Sequence, residues 1–144
     1  MNDFASHHAP TMWVTLVYIG LYYAFMIRTL KVKLRVAKQC KEAGERFFRY
    51  SNQYPELLAA DRVQLNTLEH MPPFLVLLWL QSLTVSPQSA AALGAAYVVV
   101  RLTYPLFLGP KLEKNIPLRI VINTFTGYGI LLTFAIWQIT VLAA

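Results

Sequence analysis

Four apolar runs, Pro10 to Ile27, Met71 to Val85, Ala90 to Leu108 and Ile120 to Ala144, take up more than half of this 144-residue chain. A helix that crosses a bilayer needs about 20 predominantly apolar residues. The first, third and fourth runs meet that length outright. The second meets it only if its helix starts near Asp61 and carries several polar side chains with it. No strand-like alternation separates the runs, so the chain reads as all-α, an integral membrane four-helix bundle in a single domain. Its approximate spans are 10–27, 61–85, 88–108 and 119–144, with a basic linker over 28–60. Apolar residues make up 56% of the chain and charged residues only 14%, well below the roughly 25% of a soluble domain.

All 13 lysines and arginines lie in or beside two connections. Arg28, Lys31, Lys33, Arg35, Lys38, Lys41, Arg46, Arg49 and Arg62 follow the first run, and Arg101, Lys111, Lys114 and Arg119 surround the turn between the third and fourth. Short loops rich in Lys and Arg stay cytoplasmic. Both basic loops are therefore expected in the cytoplasm and both termini on the opposite face. No basic residue precedes the first run and a strongly basic flank follows it, the pattern of an uncleaved anchor. Topology accounts for the net charge of +6, and no nucleic-acid partner is expected.

No Gly or Pro interrupts Ile27 to Ala43, so the first helix should continue into the cytoplasm until Gly44. The following Arg46–Tyr54 stretch mixes aromatic and basic residues, as interfacial segments do. Pro72 and Pro73 in the second run and Pro105 in the third each remove a backbone donor, and the freed carbonyls call for neighbouring helices. Small residues from Ala90 to Ala96 permit close helix contact. Met1 to Ala9 reads as a frayed end, where His7 and His8 have no further ligands with which to hold a metal. The single cysteine, Cys40, reads as a solvated loop thiol.

Arg62, Asn66 and Glu69 stand at i, i+4 and i+7, within roughly 60° of one another on a helix. Gln64 points elsewhere. Arg101 and Tyr104, at i and i+3 in the third run, share a face at the same end of the bundle. Ionisable groups at membrane depth pair, line a cavity or hold a polar ligand. The set offers guanidinium groups for carboxylates, a carboxylate for an amine, and amide and phenol groups for orientation. A small zwitterionic ligand with several carboxylates fits it. The competing reading is that Arg62 and Glu69 lock the bundle while Arg101 reaches up to phosphate headgroups. His70 lies near the stripe and reads first as a structural hydrogen-bonding group.

The pattern Arg-x-Gln-x-Asn-x-x-Glu-x-x-Pro at Arg62, Gln64, Asn66, Glu69 and Pro72, followed by Arg-x-x-Tyr at Arg101 and Tyr104, resembles the MAPEG family, the membrane-associated proteins in eicosanoid and glutathione metabolism. The long 31–60 connection is similar to that of uncharacterised bacterial-type members. The resemblance implies a homotrimer of four-helix subunits, glutathione bound as co-substrate between subunits near the cytoplasmic side, and a lipophilic small molecule arriving through the lipid. Arg62, Asn66, Glu69, His70, Arg101 and Tyr104 would then contact glutathione. His70 stands where cysteinyl-leukotriene synthases of the family have a tyrosine, and it could donate a hydrogen bond there. Family enzymes commonly carry a second tyrosine four residues after the first, a position held here by Leu108. They also use an arginine to stabilise the glutathione thiolate, and Arg28, Lys111, Lys114 and Arg119 offer themselves without a spacing that selects one; Arg28 and Arg119 are the arginines among them. The implied function is a membrane glutathione-dependent transferase or peroxidase acting on lipophilic electrophiles or hydroperoxides. The alternative within the family is a non-catalytic lipid-binding or scaffolding protein.

Overall fold

The computed structural model describes residues 2–112, 115 and 117–143 and contains four α-helices: α1 (Asn2–Glu42), α2 (Pro55–Thr84), α3 (Pro87–Leu108) and α4 (Leu118–Ala143). Each boundary has a local cause. The 41 residues of α1 end where Gly44 takes φ 71°, a conformation that costs other residues more. Pro55 opens α2 at a position whose amide would be unbonded in any case. Ser86 caps α3 by accepting from the Ser89 amide at 3.1 Å, and Gly109 ends it at φ 86°.

At 1.5 Å per residue α1 is about 60 Å long, twice the roughly 30 Å of a bilayer's hydrocarbon core. Its basic second half therefore projects beyond the lipid as a helix, and only residues 43–54 of the expected linker are irregular. The N-terminal end is not frayed. Residues 2–9 belong to α1, and His8 is buried with Nδ1 2.8 Å from Ser82 Oγ. A buried polar partner on α2 gives that first turn a reason to stay helical.

α2 and α3 pack on each other and on both outer helices, whereas α1 and α4 do not meet among the described residues. Tyr18, Phe74, Leu78, Ala90, Tyr97 and Phe134 form the central core, with Phe74 and Tyr97 stacked at 4.4 Å between centroids. Gly94 lets three helices converge there, since a Cβ on it would lie 2.7 Å from Leu78 Cδ1 and 2.8 Å from Val14 Cγ1. A second cluster joins Phe25, Ala59, Val63, Tyr104, Leu108 and Ile120. Pro72 and Pro73 sit inside α2 without ending it. They free the carbonyls of Leu68 and Glu69, while Tyr18 on α1 donates to the carbonyl of Thr67 at 2.9 Å.

The outside of the bundle is apolar. Trp13, Leu106, Ile139 and Leu142 are each more than 60% exposed, an arrangement suited to lipid and unfavourable in water. Three helices, α1, α3 and α4, are long and apolar enough to cross a membrane. α2 differs because Asp61, Arg62, Glu69 and His70 interrupt its first half. The protein is an integral membrane protein on this ground.

Candidate functional site

Arg101 is the largest fully buried side chain, 1% exposed. It does not reach for headgroups. Its Nε donates to Tyr97 Oη at 2.9 Å, one helical turn earlier on α3, and its guanidinium carbon lies 4.9 Å from the Tyr97 ring centroid. Cation–π attraction and a charge-assisted hydrogen bond offset part of the cost of removing a guanidinium from water. Nη1 donates to Asn66 Oδ1 on α2 at 2.5 Å. Nη2 is enclosed without a partner and passes over Gly127 on α4, where a Cβ would stand 3.3 Å away.

α4 adds Asn123, whose Nδ2 donates to the Val100 carbonyl at 3.2 Å and to Thr103 Oγ1 at 3.0 Å. Its Oδ1 is enclosed and unpaired. α2, α3 and α4 thus enclose a polar cell that carries a full positive charge. Among the described residues no carboxylate forms an ion pair with Arg101; the ion pairs found are Lys38–Glu42 and Lys111–Glu56.

Within the expected stripe on α2, Asn66 turns inward and is buried, while Arg62 and Glu69 stay exposed on either side of it. His70 is buried with its ring 5.1 Å from that of Tyr128 on α4. Tyr104 is 4% exposed and lies in the second apolar cluster with Leu108. The fold therefore brings Asn66 and Arg101 into contact and places Arg62 and Glu69 at the rim. Tyr104 and His70 are packed against other neighbours.

The candidate thiolate-stabilising cations scatter. Arg28 is half-buried with Nη1 enclosed and unpartnered, beside Lys31, Arg35 and Glu56 on a cavity of about 500 Å³. Arg119 is exposed at the start of α4, and Lys111 pairs with Glu56 at 3.5 Å. Lys114 lies outside the described residues.

Cys40 is a helical, buried thiol and not a solvated loop one: 5% exposed, it donates to Tyr54 Oη at 3.4 Å. The extension of α1 packs on the start of α2 and so covers the sulfur. No cluster of metal-ligating side chains occurs among the described residues.

No motif in the sequence singles out Tyr97, Asn123, Gly127 and Tyr128. Tyr97 precedes Arg101 by four residues and Asn123 precedes Gly127 by four, so each pair shares a helix face. That spacing alone does not say which face turns inward.

Residues 11–140, nearly the whole chain, match the family model described as MAPEG family. A comparison with curated proteins finds no match.

Proposed function

The chain belongs to the MAPEG family, and on that premise we propose that it is a membrane glutathione-dependent transferase or peroxidase acting on lipophilic electrophiles or hydroperoxides. The observation that carries the reading is the face of α2. Arg62 and Glu69, opposite in charge and both exposed, flank Asn66 on a surface that is otherwise suited to lipid. Two exposed charges on that face, with no ion-pair partner for either among the described residues, suit a ligand carrying both carboxylate and ammonium groups.

In this reading Arg62, Asn66 and Glu69 hold the charged ends of glutathione, with Arg101, Tyr104 and His70 supporting them from the bundle. A second copy covers the exposed α2 face, so the working unit is a homotrimer. The basic loops face the cytoplasm, and the lipophilic substrate reaches the sulfur from the surrounding lipid. A cation beside the sulfur lowers the thiol pKa from its usual value of about 8.5, and the resulting thiolate attacks the electrophile. Arg28 and Arg119 are the arginines available for that role. One observation favours the non-catalytic alternative: Leu108, where family enzymes commonly have a tyrosine, is buried in an apolar cluster and offers no polar group.

The test is glutathione-dependent thermal stabilisation of the detergent-purified protein, wild type against Glu69→Ala. Ligand at about 100 times its dissociation constant stabilises by roughly 2.7 kcal/mol. A shift in the wild type that vanishes in the variant is expected. A folded wild type indifferent to millimolar glutathione would refute the reading and favour a lipid-binding role.

A further inference from the structure

The contact between Arg101 and Asn66 has a chemical direction. A guanidinium carries donors and no acceptor, so the Asn66 amide can face it only with its oxygen, as it does at 2.5 Å. The Nδ2 group is then left on the other side of the amide. It makes no hydrogen bond among the described residues and is not enclosed. On α2 it stands between the exposed Arg62, one turn before, and the exposed Glu69, one turn after.

We propose that Arg101 is a positioning residue: it holds Asn66 with its N–H donors toward the ligand face, so that Arg62 and Asn66 receive one carboxylate beside the ammonium held by Glu69. The inference rests on the glutathione reading and narrows it, because Arg101 then never touches the ligand. An amide free to rotate would present oxygen as readily as nitrogen and would repel a carboxylate half the time. Arg101 removes that ambiguity, and its own freedom is removed in turn by Tyr97, which receives Nε and stacks under the guanidinium. The bare face of Gly127 leaves Nη2 the room that this placement needs. With no carboxylate paired to it among the described residues, the guanidinium also keeps its positive potential behind the amide. That favours an anionic group on the far side.

The experiment uses full-length protein in detergent, glutathione, and 4-aminobutyryl-cysteinylglycine as a probe that keeps the ammonium and lacks the neighbouring carboxylate. Asn66→Asp preserves shape and an acceptor for Arg101 but turns an oxygen outward. It should keep the ligand-free melting midpoint and weaken glutathione binding at least about tenfold, the scale of losing a charge-assisted hydrogen bond, while the probe binds as it does to the wild type. Arg101→Leu should also weaken glutathione binding, and Arg101→Lys, still a donor without an acceptor, should restore most of it.

Asn66→Asp binding glutathione like the wild type, or losing both ligands equally, overturns the proposal, and it does so even if Arg101→Leu fails to fold. Arg101→Leu that folds and binds normally also overturns it. If the wild type binds neither ligand, the glutathione reading falls. The locked amide is then judged by a double-mutant cycle on melting midpoints: Asn66→Asp should be tolerated with Arg101 present and destabilising with Leu there, and absence of that coupling overturns the contact itself.

Discussion

The two ends of the bundle both contain buried polar side chains, yet they are satisfied in different ways. At the α2–α3 turn, Gln138 Nε2 donates to Gln81 Oε1 at 2.7 Å, Gln81 Nε2 to Ser89 Oγ at 3.2 Å, and Thr84 Oγ1 to Gln138 Oε1 at 2.9 Å. Ser82 on the same turn of α2 meets His8 and Thr11, each at 2.8 Å. Every helix contributes and none of these groups is enclosed without a partner. Around Arg101 the opposite holds: Arg101 Nη2 and Asn123 Oδ1 are enclosed and unpaired, and Arg62 and Glu69 stand exposed about one turn to either side of Asn66 on α2. A neutral network that closes on itself is a fastening. A charged one left open at one side has capacity to spare for something that is not part of the chain.

If that contrast is correct, substitutions at the closed end should cost stability and leave ligand affinity alone, with the reverse at the open end. The largest stability effect is expected from Gln81→Ala. It strands the buried Nε2 of Gln138, at about 1–3 kcal/mol, and leaves a cavity where a fully buried side chain stood, so chemical or thermal unfolding should show a loss of roughly 2–4 kcal/mol with unchanged glutathione affinity. Gly94→Ala, in the apolar seam between the two ends, forces a Cβ against the stiff side chain of Val14 as well as Leu78. About 1–3 kcal/mol should be lost in the same measurement, the usual range for overpacking.

Ser86→Ala removes the cap of α3 and should cost about 1 kcal/mol. Smallest of all, Glu69→Ala without ligand should shift stability by no more than about 0.5 kcal/mol, because the side chain is exposed and forms no ion pair among the described residues. A large ligand-free loss in Glu69→Ala would break the comparison by making the open end a fastening too.

Much of the fold was legible from hydrophobic runs and breakers. Gly44, Pro55, Ser86–Pro87 and Gly109 mark where helices stop and start because φ and capping preferences act within a few residues. The continuation of α1 past Ile27 was readable for the same reason. The helical N-terminus and the burial of Cys40 were not. His8 is ordered by Ser82 and Cys40 is covered by Tyr54, partners far enough along the chain that no local pattern announces them. The same limit applies to the site. The Arg62, Asn66, Glu69 spacing named the face of α2, yet it could not tell which of the three turns inward.

Apolar length, helical period and residue chemistry are properties of the chain alone, and they suffice for an all-helical membrane protein with a polar stripe on its second helix and an arginine at the matching end of its third. The packing of the helices against one another is what puts Arg101 inside with Tyr97 and Asn66 while Arg62 and Glu69 remain at the surface. That outcome depends on how α2, α3 and α4 pack around Gly127 and the Phe74–Tyr97 stack. Packing chooses one rotation for each helix, and that rotation separates a charge that positions from charges that can bind.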